Sequence, residues 1–261
     1  EKKTARQSQP AAAQLPADDG LAVPPVELRT LVAGEGSGDL ASYFAAGERW
    51  VAMIKRMLGA QGIDIDDFGN ILDFGCGCGR VIRRFSAVRK AKLYGTDINR
   101  EQIEWCQRHI PFARFQVNHS YPPLRFEDDM FDFIYAFSVL THLPESVQFL
   151  WMSELSRVLK PGGYLLITTH GENYAALLDQ QAQAKFHHNQ LVVFNEEDFN
   201  NPLTYGRCSA YHPEKYVREK LAKTFEVVDF VKGEVMDAAR RLIRQDAYLL
   251  KKPLVQGKGQ A

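Results

Sequence analysis

Residues 73 to 79 read Asp-Phe-Gly-Cys-Gly-Cys-Gly, an acid followed by three alternating glycines directly behind an apolar run. A glycine-rich turn between a strand and a helix lets backbone approach a ligand closely, and a helix N-terminus offers unpaired N–H groups. The phosphate loop GxxxxGK[ST] has no match here. The dinucleotide fingerprint GxGxxG fails because Arg80 stands where its third glycine belongs. A metal site fails too: Cys76 and Cys78 form CxC, and no second Cys/His pair follows at zinc spacing. No metal is expected, and the two thiols read as small buried fillers of the turn. What remains is Asp73 with Gly75, Gly77 and Gly79, an arrangement suited to a ligand that carries positive charge rather than a pyrophosphate. Two histidines, His142 in SVLTHL and His170 in ITTHG, have the chemistry of a base at neutral pH. A rate that depends on either would fall at low pH around the ordinary histidine value of about 6.5.

The elements that position these residues follow from periodicity. Short apolar segments predict strands at 71–74, 92–96, 114–117, 131–136 and 163–169, alternating with amphipathic helices at 79–88, 100–109 and 145–159. Alternation of this kind implies a parallel sheet covered on both faces. Phe44, Val51, Ile54, Met57 and Leu58 share one face and predict a preceding helix near 42–58, started by Asp39 or Ser42 and ended by Gly59. Lys160–Gly163, KPGG, reads as a helix stop and turn before the fifth strand. Residues 172–209 are rich in amides and aromatics and too long for a plain connection, which predicts a lid or substrate-binding insertion. HPEKYVREKLAKTF then predicts a helix with Pro213 in its first turn, and FEVVDFVKG and QDAYLLKKP predict two closing strands. In open α/β sheets ligands sit beyond the carboxyl ends of the strands, where Asp97, His142 and His170 all fall.

Bulk properties narrow the function. The 261 residues suffice for one large α/β domain with a real core. Lys plus Arg and Asp plus Glu each total 32, so no basic field argues for nucleic acid or an anionic membrane. No apolar run reaches the roughly 18 residues of a membrane span. Residues 1–25 are expected to be a disordered tail without a signal peptide's apolar stretch, and four cysteines without such a signal suggest reduced thiols in the cytoplasm. The rest, 26–261, is expected to be a single domain with a helical extension over 26–60 and the insertion at 172–209.

Four segments in order carry a resemblance. DFGCGCG, LYGTDIN, FQVNHSYPPLRFEDDMFDFIYAFSVLTHL and ELSRVLKPGGYLLITTHG are similar to successive motifs of the class I S-adenosylmethionine-dependent methyltransferases, over roughly residues 65 to 171. The resemblance implies a doubly wound, Rossmann-like seven-stranded sheet, parallel except for an antiparallel last strand, with the 42–58 helix beside the cofactor crevice. It implies S-adenosyl-L-methionine as cofactor, whose amine and sulfonium would welcome Asp73. Asp97 would hold the ribose hydroxyls and Asn118 the adenine edge. Gly75, Cys76, Gly77, Gly79, Ile98, His119 and Phe137 would complete the cofactor site.

A sulfonium methyl is already activated, so the protein mainly aligns the acceptor, and alignment can supply about 7–11 kcal/mol of barrier lowering. A base would be needed only for a hydroxyl or a protonated amine. His170, ending the fifth strand, is the first candidate and His142 the second. Tyr43, Tyr211 and His212 are weaker ones, and the His187–His188 pair reads as solvated. The expected function is methyl transfer to a small-molecule acceptor, with a sugar or polysaccharide-related hydroxyl as the finer reading. The alternative is a catalytically silent S-adenosylmethionine-binding or interaction module.

Overall fold

The computed structural model describes residues 19–33, 39–200, 207–233, 235–236, 242–243 and 245–254. Five parallel strands come first: β1 (Asn70–Phe74), β2 (Lys92–Asp97), β3 (Ala113–Val117), β4 (Phe131–Ala136) and β5 (Leu159–Thr169). An antiparallel pair follows in the insertion, β6 (Val192–Phe194) and β7 (Ser209–Tyr211). After β8 (Glu226–Val231) come a two-residue pair, β9 (Val235–Met236) with β10 (Leu242–Ile243), and finally β11 (Asp246–Lys251). The main sheet has seven strands in the order β3-β2-β1-β4-β5-β11-β8. β11 runs antiparallel to both of its neighbours, as the resemblance implies. Sheet order reverses between β1 and β4, and that is where a doubly wound sheet opens a ligand crevice.

Alternation along each strand explains why both faces are covered. Leu72, Ile134, Leu165, Ile167, Tyr248 and Leu250 belong to one apolar cluster, and Ile71, Phe133, Tyr135, Leu166, Ala247 and Leu249 to the other. Successive side chains point to opposite faces, so each strand feeds two cores. Among the helices, α1 (Val26–Ala33), α2 (Leu40–Ala60) and α3 (Arg100–His109) pack on the second face. α4 (Glu145–Val158) packs on the first, burying Val147, Trp151, Met152, Leu155 and Val158 at helical spacing. Asp39 caps α2 by accepting from the Ser42 N–H, as its position predicts, while the helix runs one residue past Gly59. α5 (Glu172–Ala175) and α6 (Gln180–His187) form the insertion with β6 and β7, around a small core of Ala175, Ala182, Phe186 and Val192. α7 (Glu214–Tyr216) passes straight into a π-turn over Val217–Leu221. No helix among the described residues is long and apolar enough to cross a membrane.

Three expectations need correction. No α-helix forms over 79–88: turns lead into a single 3₁₀ stretch, Ile82–Phe85. Lys160–Gly163 is not a turn before the strand but a bulge inside β5, where Leu159 faces Phe131 and Tyr164 faces Phe133. Gly162, at φ +79°, makes that bulge possible, and Lys252, just past β11, pins it through backbone bonds to Gly162 and Gly163. Residues 19–25, expected to belong to a disordered tail, lie docked on the domain: Val23 is buried and Asp19 pairs with Arg83. The rest of that tail, residues 1–18, lies outside the described residues.

Candidate functional site

β1 delivers Asp73 into the sheet interior and then turns sharply. Gly75, Gly77 and Gly79 all have left-handed backbone, with φ of +78°, +53° and +77°. The Gly75 and Cys76 N–H groups both donate to the Thr96 carbonyl, at 2.8 and 2.9 Å. Gly77 N–H donates to Asp97 Oδ2 at 2.8 Å, and Gly79 N–H to the Cys76 carbonyl at 2.9 Å. A phosphate cradle needs unengaged N–H groups ahead of a helix N-terminus. Here four loop donors are committed, and no α-helix follows the turn.

The unpaired groups at the same place are acceptors and hydroxyls, with the Arg80 Nε donor beside them. Asp73 Oδ2, Thr96 Oγ1 and Asn118 Oδ1 are buried without hydrogen-bond partners. Burial pushes Asp73 up to about 8; the Tyr135 hydroxyl and Arg80 guanidinium offset this in part, while the Asp97 charge adds to it. Burial also raises Asp97, against the backbone N–H groups of Asn99, Gly77 and Ile98 that favour its charged form. Two carboxylates flanking one loop, both disfavoured as anions, suit a ligand that brings cations. S-adenosylmethionine, with an ammonium and a sulfonium, fits that requirement; Asp73 and Asp97 would hold it, with Asn118 at the base.

The residues named for the cofactor divide into two groups. Asp73, Gly75, Gly77, Asp97 and Asn118 converge: Asn118 N–H donates to the Asp97 carbonyl at 3.0 Å, and Ile98 lies half-buried beside it. Gly79 serves packing instead, since a Cβ there would stand 2.4 Å from Ile110 Cδ1. The Cys76 side chain turns into the core, its thiol raised by burial and by the neighbouring Cys106. His119 is exposed, and its carbonyl takes a 2.8 Å bond from the Asn118 amide. Phe137 stacks on Trp50 of α2 with centroids 4.4 Å apart, which puts this helix beside the crevice.

Beyond β4 and β5 a second set gathers. His170 stacks on Tyr174 at 4.2 Å, with Tyr211 at 5.3 Å and the His142 ring at 6.3 Å. A parallel bridge between His170 and Tyr211 and the His212 N–H on the His170 carbonyl, at 2.8 Å, tie the insertion to the tip of β5. Burial pushes His170 down to about 4, with His142 adding to it, so the ring is neutral at pH 7. Its Nδ1 is buried without a partner. That value of about 4 lies below the ordinary histidine value of about 6.5. His142 Nδ1 lies 3.0 Å from the Cys208 carbonyl, which assigns the proton to that nitrogen. Under these rings, the hydroxyls of Ser138 and Thr168 both donate to Gln245 Oε1, at 3.0 and 2.6 Å. Ser138 itself sits at φ +58°.

The weaker candidates have structural work. Tyr43 is fully buried and donates to the Cys78 carbonyl at 3.3 Å, beneath the loop. His212 is fully buried on Gln148 at 2.9 Å and pushed down to about 3 by burial. His187 faces Glu172 at 3.7 Å. Sequence reasoning missed Tyr174, Cys208, Ser138, Thr168 and Gln245, which no spacing rule connects.

Residues 72–167 match the family model described as a methyltransferase domain. Among curated proteins, a methyltransferase of Streptomyces halstedii (GfsG) is 30% identical over 127 residues, 47% of this chain and 43% of that protein. Sterol 24-C-methyltransferase of Schizosaccharomyces pombe is 26% identical, over 72% of this chain and 50% of its own. The chain thus spans half or less of these two relatives' lengths. Among solved structures, a SAM-dependent methyltransferase from Methanosarcina mazei superposes with a TM-score of 0.54 at 22% identity, covering 75% of this chain and 97% of that one. At that identity the likeness bears on the fold. The matched segment runs from the middle of β1 to near the end of β5, through the loop and both acids, and over this stretch the chain is similar to methyltransferase domains.

Proposed function

We propose that the protein transfers a methyl group from S-adenosylmethionine to a neutral small-molecule acceptor held beside His170. The observation that carries this is the buried Asp73 carboxylate and the half-buried Asp97 carboxylate, flanking a loop whose N–H groups are largely engaged. When bound, the cofactor supplies an electrophilic methyl on a sulfonium. Asp97 takes the ribose hydroxyls while keeping its bonds to Gly77 and Asn99. Asp73 faces the ammonium, and Asn118 Oδ1 the adenine amine. Affinity in the micromolar range, about −8 kcal/mol, is expected.

Tyr174 and Tyr211 hold the His170 ring, whose unpartnered Nδ1 receives the acceptor's proton. With its value near 4 the ring is neutral but weakly basic, so alignment provides most of the rate enhancement and proton acceptance the smaller part. Stacked rings and an amide-rich insertion favour a ring-shaped polar acceptor, a sugar-type hydroxyl. The sterol 24-C-methyltransferases among the relatives support a second reading, an apolar ring system. Incubation with methyl-labelled cofactor and a panel of sugar and sterol acceptors separates the two. Cofactor binding without label transfer to any acceptor would favour the silent module.

A further inference from the structure

The segment before α2 matches no part of the methyltransferase model, yet it lies on the glycine loop. Arg83, in the 3₁₀ stretch after the loop, is fully buried and grips Asp19 with both Nε (2.6 Å) and Nη2 (2.8 Å). The same Nη2 reaches the Ala22 carbonyl at 3.1 Å. Asp19 in turn accepts from the Leu21 N–H at 3.1 Å, so the ion pair fixes the chain direction into α1. Burial opposes the charge on Asp19, but the Arg83 guanidinium and the Leu21 N–H hold its carboxyl below the usual carboxylate range.

From that anchor α1 crosses to the other wall of the crevice. The Leu28 carbonyl accepts from Gln102 Nε2 of α3 at 3.1 Å and from Cys78 Sγ of the loop at 3.7 Å. Val32 Cγ2 lies 2.7 Å from the point a Gly77 Cβ would occupy. Gly77 is the residue whose N–H is bound by Asp97, and Gln102 is in the first turn after Asn99, which Asp97 also holds. α1 therefore bridges the β1 loop and the β2 turn, the two edges between which an adenosyl group would lie.

We propose that residues Asp19 to Ala33 form a strap that roofs the cofactor crevice, with Leu28 and Val32 as the roof and the Asp19–Arg83 pair as the latch that opens for cofactor entry and exit. This rests on the cofactor reading above. Bidentate, buried Arg–carboxylate pairs are strong only while intact, because losing one partner strands a buried charge. Opening at the latch thus frees the whole segment.

The test uses S-adenosylhomocysteine as probe, followed by stopped-flow tryptophan fluorescence, with hydrogen exchange over 19–33 measured in parallel. Asp19→Ala should speed exchange of the strap and raise the dissociation rate of the probe at least about tenfold, as loss of a buried ion-pair partner allows. Asp19→Glu should restore much of both. Val32→Ala, which thins the roof and leaves the latch, should raise the dissociation rate without speeding exchange at 19–25. Unchanged probe rates in Asp19→Ala and Val32→Ala, with binding intact in the parent protein, would overturn the strap alone. No binding by the parent would overturn the cofactor reading and the gate with it.

Discussion

Where Asp97 holds the glycine loop, the hydrogen bonds span short stretches of chain: Gly77 meets Asp97 twenty residues on, and Asp97 meets Asn99 two residues later. Around His170 they span long ones. Ser138 bonds Gln245 across 107 positions, and His142 faces Cys208 across 66. The first region is fixed by backbone conformation and one parallel strand pair. The second exists only when β4, β5, β11 and the insertion are all in place. Local construction leaves a motif in the sequence, and distributed construction leaves almost none. The binding end can therefore stay constant while the acceptor end is rebuilt around it.

Substitutions should separate the two ends. The largest effect is expected from His170→Ala, which should lower kcat by roughly 10²–10⁴-fold and leave cofactor affinity within about twofold. In the parent enzyme kcat should stay flat from pH 8 down to about 5.5, because a base held near 4 remains neutral throughout that range. A kcat profile with a midpoint near 6.5 would show that the ring is not desolvated during turnover.

Gly77→Val should do the reverse, leaving no useful cofactor affinity. Its φ of +53° strains any branched residue, and its Cβ would collide with Val32. Left-handed backbone alone costs about 1–3 kcal/mol, and the collision adds to that, so calorimetry should show affinity weakened about 100-fold or more. Circular dichroism checks that the sheet survives.

Asp97→Ala removes the proposed ribose acceptor together with the ties to Gly77 and Asn99. Loss of hydrogen bonds to a charged group, about 1.5–3 kcal/mol, corresponds to roughly 10- to 150-fold weaker binding. Unchanged affinity would mean that the cofactor does not lie along the β2 tip.

The smallest effect is a pH dependence of binding. Asp73, raised to about 8, is mostly protonated at pH 7 in the free protein, and a bound cation favours its anion. Binding below pH 8 must then expel a proton, so affinity should rise about fivefold between pH 7 and 8, and about twofold more before levelling off near pH 9. Asp73→Asn should abolish that slope. It should also stabilise the free protein at pH 7 to 8: a carboxyl whose folded value exceeds its unfolded one loses stability as pH rises between the two.

Sequence and structure agree where a residue's neighbours determine its state. The five parallel strands follow from apolar runs buried on both faces, and Asp39, followed by a helical period, caps α2 as expected. The expected 79–88 helix fails because tertiary contacts win: Arg83 is drawn into a pair with Asp19, 64 residues away, and the chain settles into a 3₁₀ turn. The same contact explains why residues 19–25 are docked, since their apolar content alone does not announce a partner. KPGG misleads because a bulge and a turn ask for the same residues. At the acceptor end, Gln245 and Cys208 carry no signal at all, being placed by topology.

The bulge in β5 gives the strand a reserve of length. The five steps of chain from Leu159 to Tyr164 cover the distance that two steps, Phe131 to Phe133, cover on β4, so one residue could be lost or gained there without moving anything downstream. Between Tyr164 and Thr169 the pairing is strictly one to one. A single deletion in that stretch reverses the pleat beyond it, and His170 would leave the crevice for the opposite side of the sheet. Insertions and deletions should therefore be tolerated at Lys160–Gly163 and rejected five residues later, an asymmetry within one strand that a scan of single-residue deletions would read directly.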